Sequence, residues 1–439
     1  MRIAGFALLG VVLGLPCISL AQKQPKGLLP IPDYTGDLSA RSHLAGDFDG
    51  GRTTLAQKGV QIDVNWTQEA QTVVDGGRDT GGRYGGNVDT LVHLDLMRMG
   101  LIPGALVTIR AESRYGQSVN GIAGPILPVN TDGFFPLTAN LDDGVCIAIT
   151  DLNYTQFLSP QLAISAGKLD TLDADLNEFA SGRGTRQFMN ANFLFNSSLA
   201  LRLPYSTLGV GGLWMPSPDF KVTASLINTV DSSDTTGFTD FGEGNTASIE
   251  ADMQYRLGNL PGGANVGGLY SFDQDFARFG GELIFHPGEG FAIPHKNNTW
   301  AAYVSGWQYL LVLDPSDKPI DTSNGVADHK GIGVFGRFGV ADQTTNPIDW
   351  SASVGIGGRG MIPGRDNDTF GVGYYYTHIQ PERLLTVLRA SNQAQGVEAY
   401  YNVAITPAIN LTFDAQVVDD ALRGTDNAII LGMRLGIDF

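Results

Sequence analysis

The sequence has little of what holds most soluble domains together or marks their chemistry. It contains two cysteines in 439 residues, Cys17 in the apolar N-terminal segment and Cys146 in the remainder. A lone cysteine excludes an internal disulfide framework. Basic residues number 28 against 45 acidic ones, and the formal net charge of -17 excludes the cationic footprint of a nucleic-acid-binding protein. Past the N-terminus no run approaches the roughly 18 apolar residues of a transmembrane helix. The six histidines are scattered and no His-Glu-x-x-His occurs, so no metal site is expected. Gly355-x-Gly357-x-x-Gly360 spells a dinucleotide fingerprint, but the Met361–Arg365 stretch that follows is a turn rather than a helix. Asp366-x-Asp368 opens like a calcium loop, yet Thr377 stands where the bidentate glutamate belongs. No cofactor is expected, and an enzyme or adhesin carried on a membrane barrel is the least favoured class.

What the chain does have is glycine, 57 residues of it, and hydrophobic residues at 43% against 17% charged. That balance excludes wholesale disorder and suits an all-β architecture with many tight turns. Met1 to Ala21 has the parts of a secretory signal peptide: Arg2, an apolar core from Ile3 to Leu15, and the small-x-small site Ser19-Leu20-Ala21. Residues 22–59 read as a periplasmic lead-in. Pro25, Pro30 and Pro32 keep its start in coil, and Thr53 to Lys58 form a short helix closed by Gly59. Residues 60–439 are expected to form one barrel domain.

The end of the chain carries the clearest pattern. From Asn427 onward, Ile429, Leu431, Met433, Leu435, Ile437 and Phe439 make one apolar face. Ala428, Gly432, Arg434, Gly436 and Asp438 make the other, with Ile430 as its apolar exception. Strand side chains alternate between faces, and about 11 residues of such alternation suits a tilted membrane-spanning strand. Similar segments recur from Val60–Gln71 onward, among them 88–97, 104–115, 246–256 and 264–272. They number about sixteen, the even count expected of a bacterial antiparallel β-barrel in the outer membrane of a Gram-negative cell.

Parity supports that count. With both ends periplasmic, the short turns at 100–103, 159–160, 216–219, 258–263 and 406–407 all fall inside, and the long gaps 116–144, 170–205, 273–297 and 381–396 all fall outside. A seventeenth candidate, 279–286, would break this order and is assigned to a loop. The stretch 313–330 is long for a periplasmic turn.

One face of each strand must meet lipid, so charges on the other line the lumen. The alternation selects Arg110, Glu112 and Arg114, then Glu250, Asp252 and Arg256, then Glu398, Asp414 and Arg434. Both signs are interleaved, whereas an anion pore needs a mainly basic lining. Mixed donors and acceptors suit an uncharged polyhydroxylated solute, although the same charges also brace a hydrated wall. Arg183 and Arg186, in the long segment Leu169 to Asn196, are the candidates for a constriction loop. Trp300, Trp307, Tyr309 and Tyr374–Tyr376 are read first as interfacial girdles and second as sugar-stacking platforms.

An ordered set of motifs then points to a family. Gly46 to Val60 reads GDFDGGRTTLAQKGV; 93–96 is HLDL; 336–342 is GRFGVAD; 360–373 is GMIPGRDNDTFGVG; 397–407 is VEAYYNVAITP; and 428–439 is AIILGMRLGIDF. Together they resemble the carbohydrate-selective porins, the OprB family, with Phe48 in place of the usual tryptophan. The resemblance implies a 16-stranded barrel through which small sugars diffuse passively into the periplasm, with Glu398 and Arg434 at the narrow part of the channel. It also implies outer-membrane lipid as the surroundings. The terminal Phe439 resembles the signal read by the barrel-assembly machinery. A general or cation-preferring porin is the alternative suggested by the acidic charge. Oligomeric state is open.

Overall fold

The computed structural model describes residues 27–136, 147–173, 175–278, 293–316, 319–380, 390–419 and 424–439, with only the backbone of 7–8, 12–14, 284–286 and 290–292 besides. Cys146 and nearly all of the leader segment lie outside the described residues.

Sixteen strands close into one barrel. They are β1 Val60–Asp75, β2 Gly81–Asp95, β3 Ala105–Gly116, β4 Ala148–Ser159, β5 Leu162–Asp170, β6 Ser206–Ser217, β7 Phe220–Asn228 and β8 Asn245–Leu257. The second half is β9 Leu260–Ala277, β10 His295–Val312, β11 Gly331–Ala341, β12 Ile348–Arg359, β13 Thr369–Ile379, β14 Gln393–Thr406, β15 Ile409–Val418 and β16 Ala428–Asp438. Each strand pairs antiparallel with its neighbours in sequence. The final strand pairs with the first, Leu435 opposite Gln68 and Ile437 opposite Trp66, which leaves the sheet no free edge.

The alternation behaves as the pattern requires. On β16, Leu431 and Met433 point outward at 50% and 49% exposure, while Ile430 and Arg434 point inward at 0%. Two strands are longer than the side-chain pattern suggested: β2 starts at Gly81 rather than near 88, and β9 spans Leu260–Ala277 rather than 264–272. Their extra length contains Gly81, Gly82, Gly85, Gly86, Gly262 and Gly263. Glycines carry no polarity to alternate, but their backbone groups still join the ladder.

Both described ends of the barrel chain meet at one rim, where 160–161, 218–219, 258–259 and 407–408 are the tightest connections. The opposite rim carries 117–147 and 171–205, together with two short connections, 76–80 and 342–347. Ile284–His286 pairs with Gly290–Ala292 as a separate ladder off the barrel, in keeping with its assignment to a loop.

A helix, α1 Gly51–Gln57, precedes the barrel and holds its seam. Arg52 Nη2 donates to the carbonyls of Ile62 (2.6 Å) and Phe439 (2.8 Å), and its guanidinium lies over the Tyr34 ring at 4.4 Å. The lead-in does not hang free over residues 27–43. Leu28 and Leu29 donate their backbone N–H groups to Asp95 Oδ2, and Gln61 Nε2 donates to the Pro30 carbonyl at 2.7 Å.

Candidate functional site

The lumen is occupied by its own loops. Residues 171–205 bond in turn to β9, β10, β11, β12, β14, β15, β16 and β3, a set of partners only a segment inside the barrel can reach. Three phenylalanines fix it to one half of the wall. Phe179 meets Trp307 and Tyr309; Phe188 meets Phe335 and Tyr400; Phe193 meets Tyr375. Aromatic pairs of this kind are worth about 0.5–1.5 kcal/mol each beyond the area they bury.

Glycines on the facing strands make room for them. A Cβ on Gly333 would sit 2.4 Å from the Phe179 ring, and one on Gly373 would sit 2.5 Å from the Phe193 ring. The aromatic runs are therefore divided by alternation. Trp307, Tyr309 and Tyr375 are buried under the loop, while Trp300 and Tyr374 face outward with Phe338. The inward set is packing rather than an open stacking platform.

The second inward segment is 117–136, from the same rim. Asn130 Nδ2 donates to Glu69 Oε2 (2.6 Å) and Gln71 Oε1 (2.8 Å) on β1, and Thr131 N–H donates to the Met189 carbonyl. Loop therefore rests on loop, and both rest on the wall.

Polar anchors complete the attachment. Arg337, 4% exposed, donates to Asp175 Oδ2 (2.9 Å) and to the carbonyls of Asp175, Ala180, Phe193 and Leu194. Glu398 accepts the N–H groups of Met189 (2.6 Å) and Asn190 (3.0 Å). Arg434 donates to the carbonyls of Gly184 and Gln187 (2.8 Å). Burial pushes the Asp175 carboxyl above its ordinary value even with Arg337 beside it, and the Glu178 carboxyl is raised by burial and then by neighbouring Asp328.

These contacts redistribute the residues expected at the pore. Glu398 and Arg434 point inward as the alternation requires, but the loop covers them completely, at 0% exposure each. They anchor the inward loop and are closed off from the open lumen. Asp414 is buried beside them and accepts from Gln416 Nε2 at 2.9 Å. Arg114 is spent on the carbonyls of Pro136 (2.9 Å) and Gly133 (3.2 Å) in the other inward segment. Glu250 is buried against the Tyr303 hydroxyl, Asp252 faces Lys221 at 3.7 Å, and Arg256 lies exposed at the rim, donating to the Ser316 carbonyl. Arg186 pairs with Asp438 at the end of β16.

Arg110, Glu112 and Arg183 are brought together. Gly182, Arg183 and Gly184 run consecutively through positive φ (83°, 57° and 80°), a turn that throws the arginine side chain out of the loop at some backbone cost. Arg183 reaches Glu112 (3.0 Å), Asp170 (3.0 Å) and Asp173 (3.3 Å). Arg110 shares both aspartates, at 3.3 and 3.0 Å, and adds Asp89 at 3.4 Å. Two like-charged guanidiniums are thus held side by side by carboxylates between them. Tyr205 closes the cluster by donating to Glu112 at 2.7 Å.

The cluster opens on a cavity of about 370 Å³ toward the rim where the chain ends meet. Arg110, Arg183 and Asp173 form its inner side, Asp63 and His93 its wall, and Pro30 of the lead-in its outer edge. Most anchors of the loop fall on β9–β16, and the cavity is bordered instead by Gln61 and Asp63 of β1, Leu91 and His93 of β2 and Arg110 of β3. Sequence reasoning missed Asp170, Asp173 and Arg337. The first two belong to the segment singled out for its arginines. Arg337 lies within GRFGVAD and on the same face as Phe335, a signal that was available. Among the described residues no group of His, Cys, Asp or Glu is arranged to hold a metal ion.

Comparison with known proteins agrees with this architecture. The family model described as carbohydrate-selective porin, OprB family, matches residues 79–439. Porin B of Pseudomonas aeruginosa is 22% identical over 392 residues, covering 85% of this chain and 82% of that protein. The high-pH structure of Pseudomonas putida OprB superposes with a TM-score of 0.75 at 20% identity, over 91% of this chain and 99% of that one. The low-pH structure of the same protein gives 0.56 at 16% identity, over the same shares of the two chains. With most of its length matched by the family model, the chain belongs to the OprB family of carbohydrate-selective porins and is an outer-membrane carbohydrate porin.

Proposed function

We propose that neutral mono- and oligosaccharides diffuse down their gradient between the β1–β3 wall and the lumen loop, past Arg110, Glu112 and Arg183. The observation that carries this reading is the Arg110–Arg183 pair locked by Asp170 and Asp173 beside the 370 Å³ cavity. That volume falls in the range of about 300–1,000 Å³ usual for small-molecule sites. The locked guanidiniums and carboxylates offer donors and acceptors in fixed positions. A sugar exchanges hydration for these hydrogen bonds and leaves because no single site binds it tightly. No chemistry on the solute is needed, and the protein acts as a channel rather than an enzyme.

Liposomes carrying the purified protein test this directly. Swelling should be faster in small sugars than in amino acids of similar size, and equal rates would refute carbohydrate selectivity. Arg183→Ala should weaken sugar block of the ion current by about 1.5–3 kcal/mol, the scale of a lost charged hydrogen bond. Titrating single-channel current with sugar measures it.

A second reading, cation preference, is favoured by the charge of the cluster. Two arginines face Asp89, Glu112, Asp170 and Asp173, and Asp63 and Asp321 also border the cavity. A reversal potential in a salt gradient separates the two readings, since a cation-preferring pore gives a strong shift with no effect of sugar on the current. For the rest of the molecule, the reading places the chain ends in the periplasm, lipid around the apolar band, and the C-terminal strand as the part presented to the assembly machinery.

A further inference from the structure

The stretch 319–330 belongs to the connection that is too long for its rim, and its position explains why. Three separate spaces border it, each against a different part of the wall. Asp321 and Ser323 line the 370 Å³ cavity with β1–β3. Ile320 and Thr322 border a space of about 40 Å³ with Lys221, Asp252 and Trp307, on β7, β8 and β10. Val326 borders a third, of about 200 Å³, with Arg359, Asn402 and Asn410, on β12, β14 and β15. A segment flanked on three sides by the barrel wall stands near the middle of the lumen mouth.

It is also braced there. Gln254 exchanges two hydrogen bonds with Ile320, at 2.8 and 3.1 Å. Arg359 donates to the carbonyls of Ala327 (2.8 Å) and Asp328 (3.1 Å). Glu178 of the lumen loop accepts the Asp328 N–H at 2.6 Å. At the tip, Gly325 and Gly182 meet backbone to backbone: a Cβ on Gly325 would lie 2.6 Å from Gly182 Cα, and both residues have positive φ. The loop from one rim and the turn from the other therefore touch in mid-lumen.

We propose that this turn is a second selectivity element of the channel, acting in series with the arginine cluster. By splitting the mouth it leaves the 370 Å³ space as the largest of the three, and it sets Asp321 and Ser323 as polar contacts for the solute beyond Arg183. The solute class rests on the reading above; the narrowing itself does not.

Two variants test it. In the first, residues 321–326 are replaced by Gly-Gly. Single-channel conductance should rise by about twofold or more, and trisaccharides should swell liposomes nearly as fast as monosaccharides. In the second, Asp321→Asn keeps an oxygen for the turn, where Oδ1 accepts from Ser323 N–H at 3.0 Å, and removes the charge. Its cation-to-anion permeability ratio should fall measurably, because the carboxylate borders the conducting path. Unchanged conductance and size limit in the first variant would overturn the proposal. If that variant fails to insert, an unchanged permeability ratio in Asp321→Asn overturns it instead. A wild-type channel that does not distinguish sugars from amino acids would sink the solute class, while the conductance comparison would still decide the narrowing.

Discussion

Replacing Arg337 with methionine is expected to release the lumen loop at a cost of about 3–5 kcal/mol, the usual penalty for removing one partner of a buried ion pair. The guanidinium sits on the inner wall with 1% of its side chain exposed and holds an aspartate whose side chain is 2% exposed. It also takes up four loop carbonyls, from Asp175, Ala180, Phe193 and Leu194, which have no water to turn to once it is gone. Asp175 would keep the Asn265 amide, at 3.3 Å, and the Ser305 hydroxyl. The strand ladders do not depend on this residue, so the barrel should still insert and resist denaturation. The change should appear in the current: larger conductance, more open-channel noise and a weaker limit on solute size. Arg337→Lys should rescue little, since an ammonium cannot fork between a carboxylate and several carbonyls. Conductance and noise equal to wild type would mean that the phenylalanine packing and the Glu398 and Arg434 anchors hold the loop without it.

The barrel was legible because its rule is local. A membrane-spanning strand must alternate, and the alternation of β16 or β8 can be read within a dozen residues. Parity followed from the placement of short and long connections; of the segment 279–286 that it put in a loop, 284–286 pairs off the barrel and the rest lies outside the described residues. The lumen was harder to read. Inward-facing charge looks the same whether it meets solute or a loop, so Arg110 and Glu398 were indistinguishable on their strands. What separates them is the path of 171–205, fixed by contacts distant in sequence. Traces of that path were present. Phe179, Phe188 and Phe193 are large apolar residues in a segment that would otherwise be solvent-exposed, and such residues ask for a partner. Their partners are partly glycines, Gly333 and Gly373, whose role is to be empty. A missing side chain carries no signal of its own until the side chain that fills the space is known.

Deleting Phe439 is expected to lower the amount of inserted protein by about tenfold or more while leaving conductance per channel unchanged. The two effects separate because Phe439 touches the seam and not the passage. Its N–H donates to the Val64 carbonyl at 2.8 Å, and its own carbonyl accepts from Arg52 at 2.8 Å. Upstream of it, β16 keeps its register with β1 from Asp438 opposite Asn65 to Ile430 opposite Val73, so a barrel that has formed should stay closed. The residues lining the cavity lie on β1–β3, the loop, the 319–330 turn and the lead-in, and none is adjacent to Phe439 in the chain. Arg52→Ala is the discriminating control. It removes the bond to Phe439, together with those to the Ile62 carbonyl and the Asp63 carboxylate, but leaves the terminal aromatic available to the assembly machinery. If Phe439 acts as a recognition signal, Arg52→Ala should insert nearly as well as wild type and the Phe439 deletion should not. Equal losses in the two variants would place the effect in the clasp between helix and terminus, and normal insertion of the deletion would remove the signal role altogether.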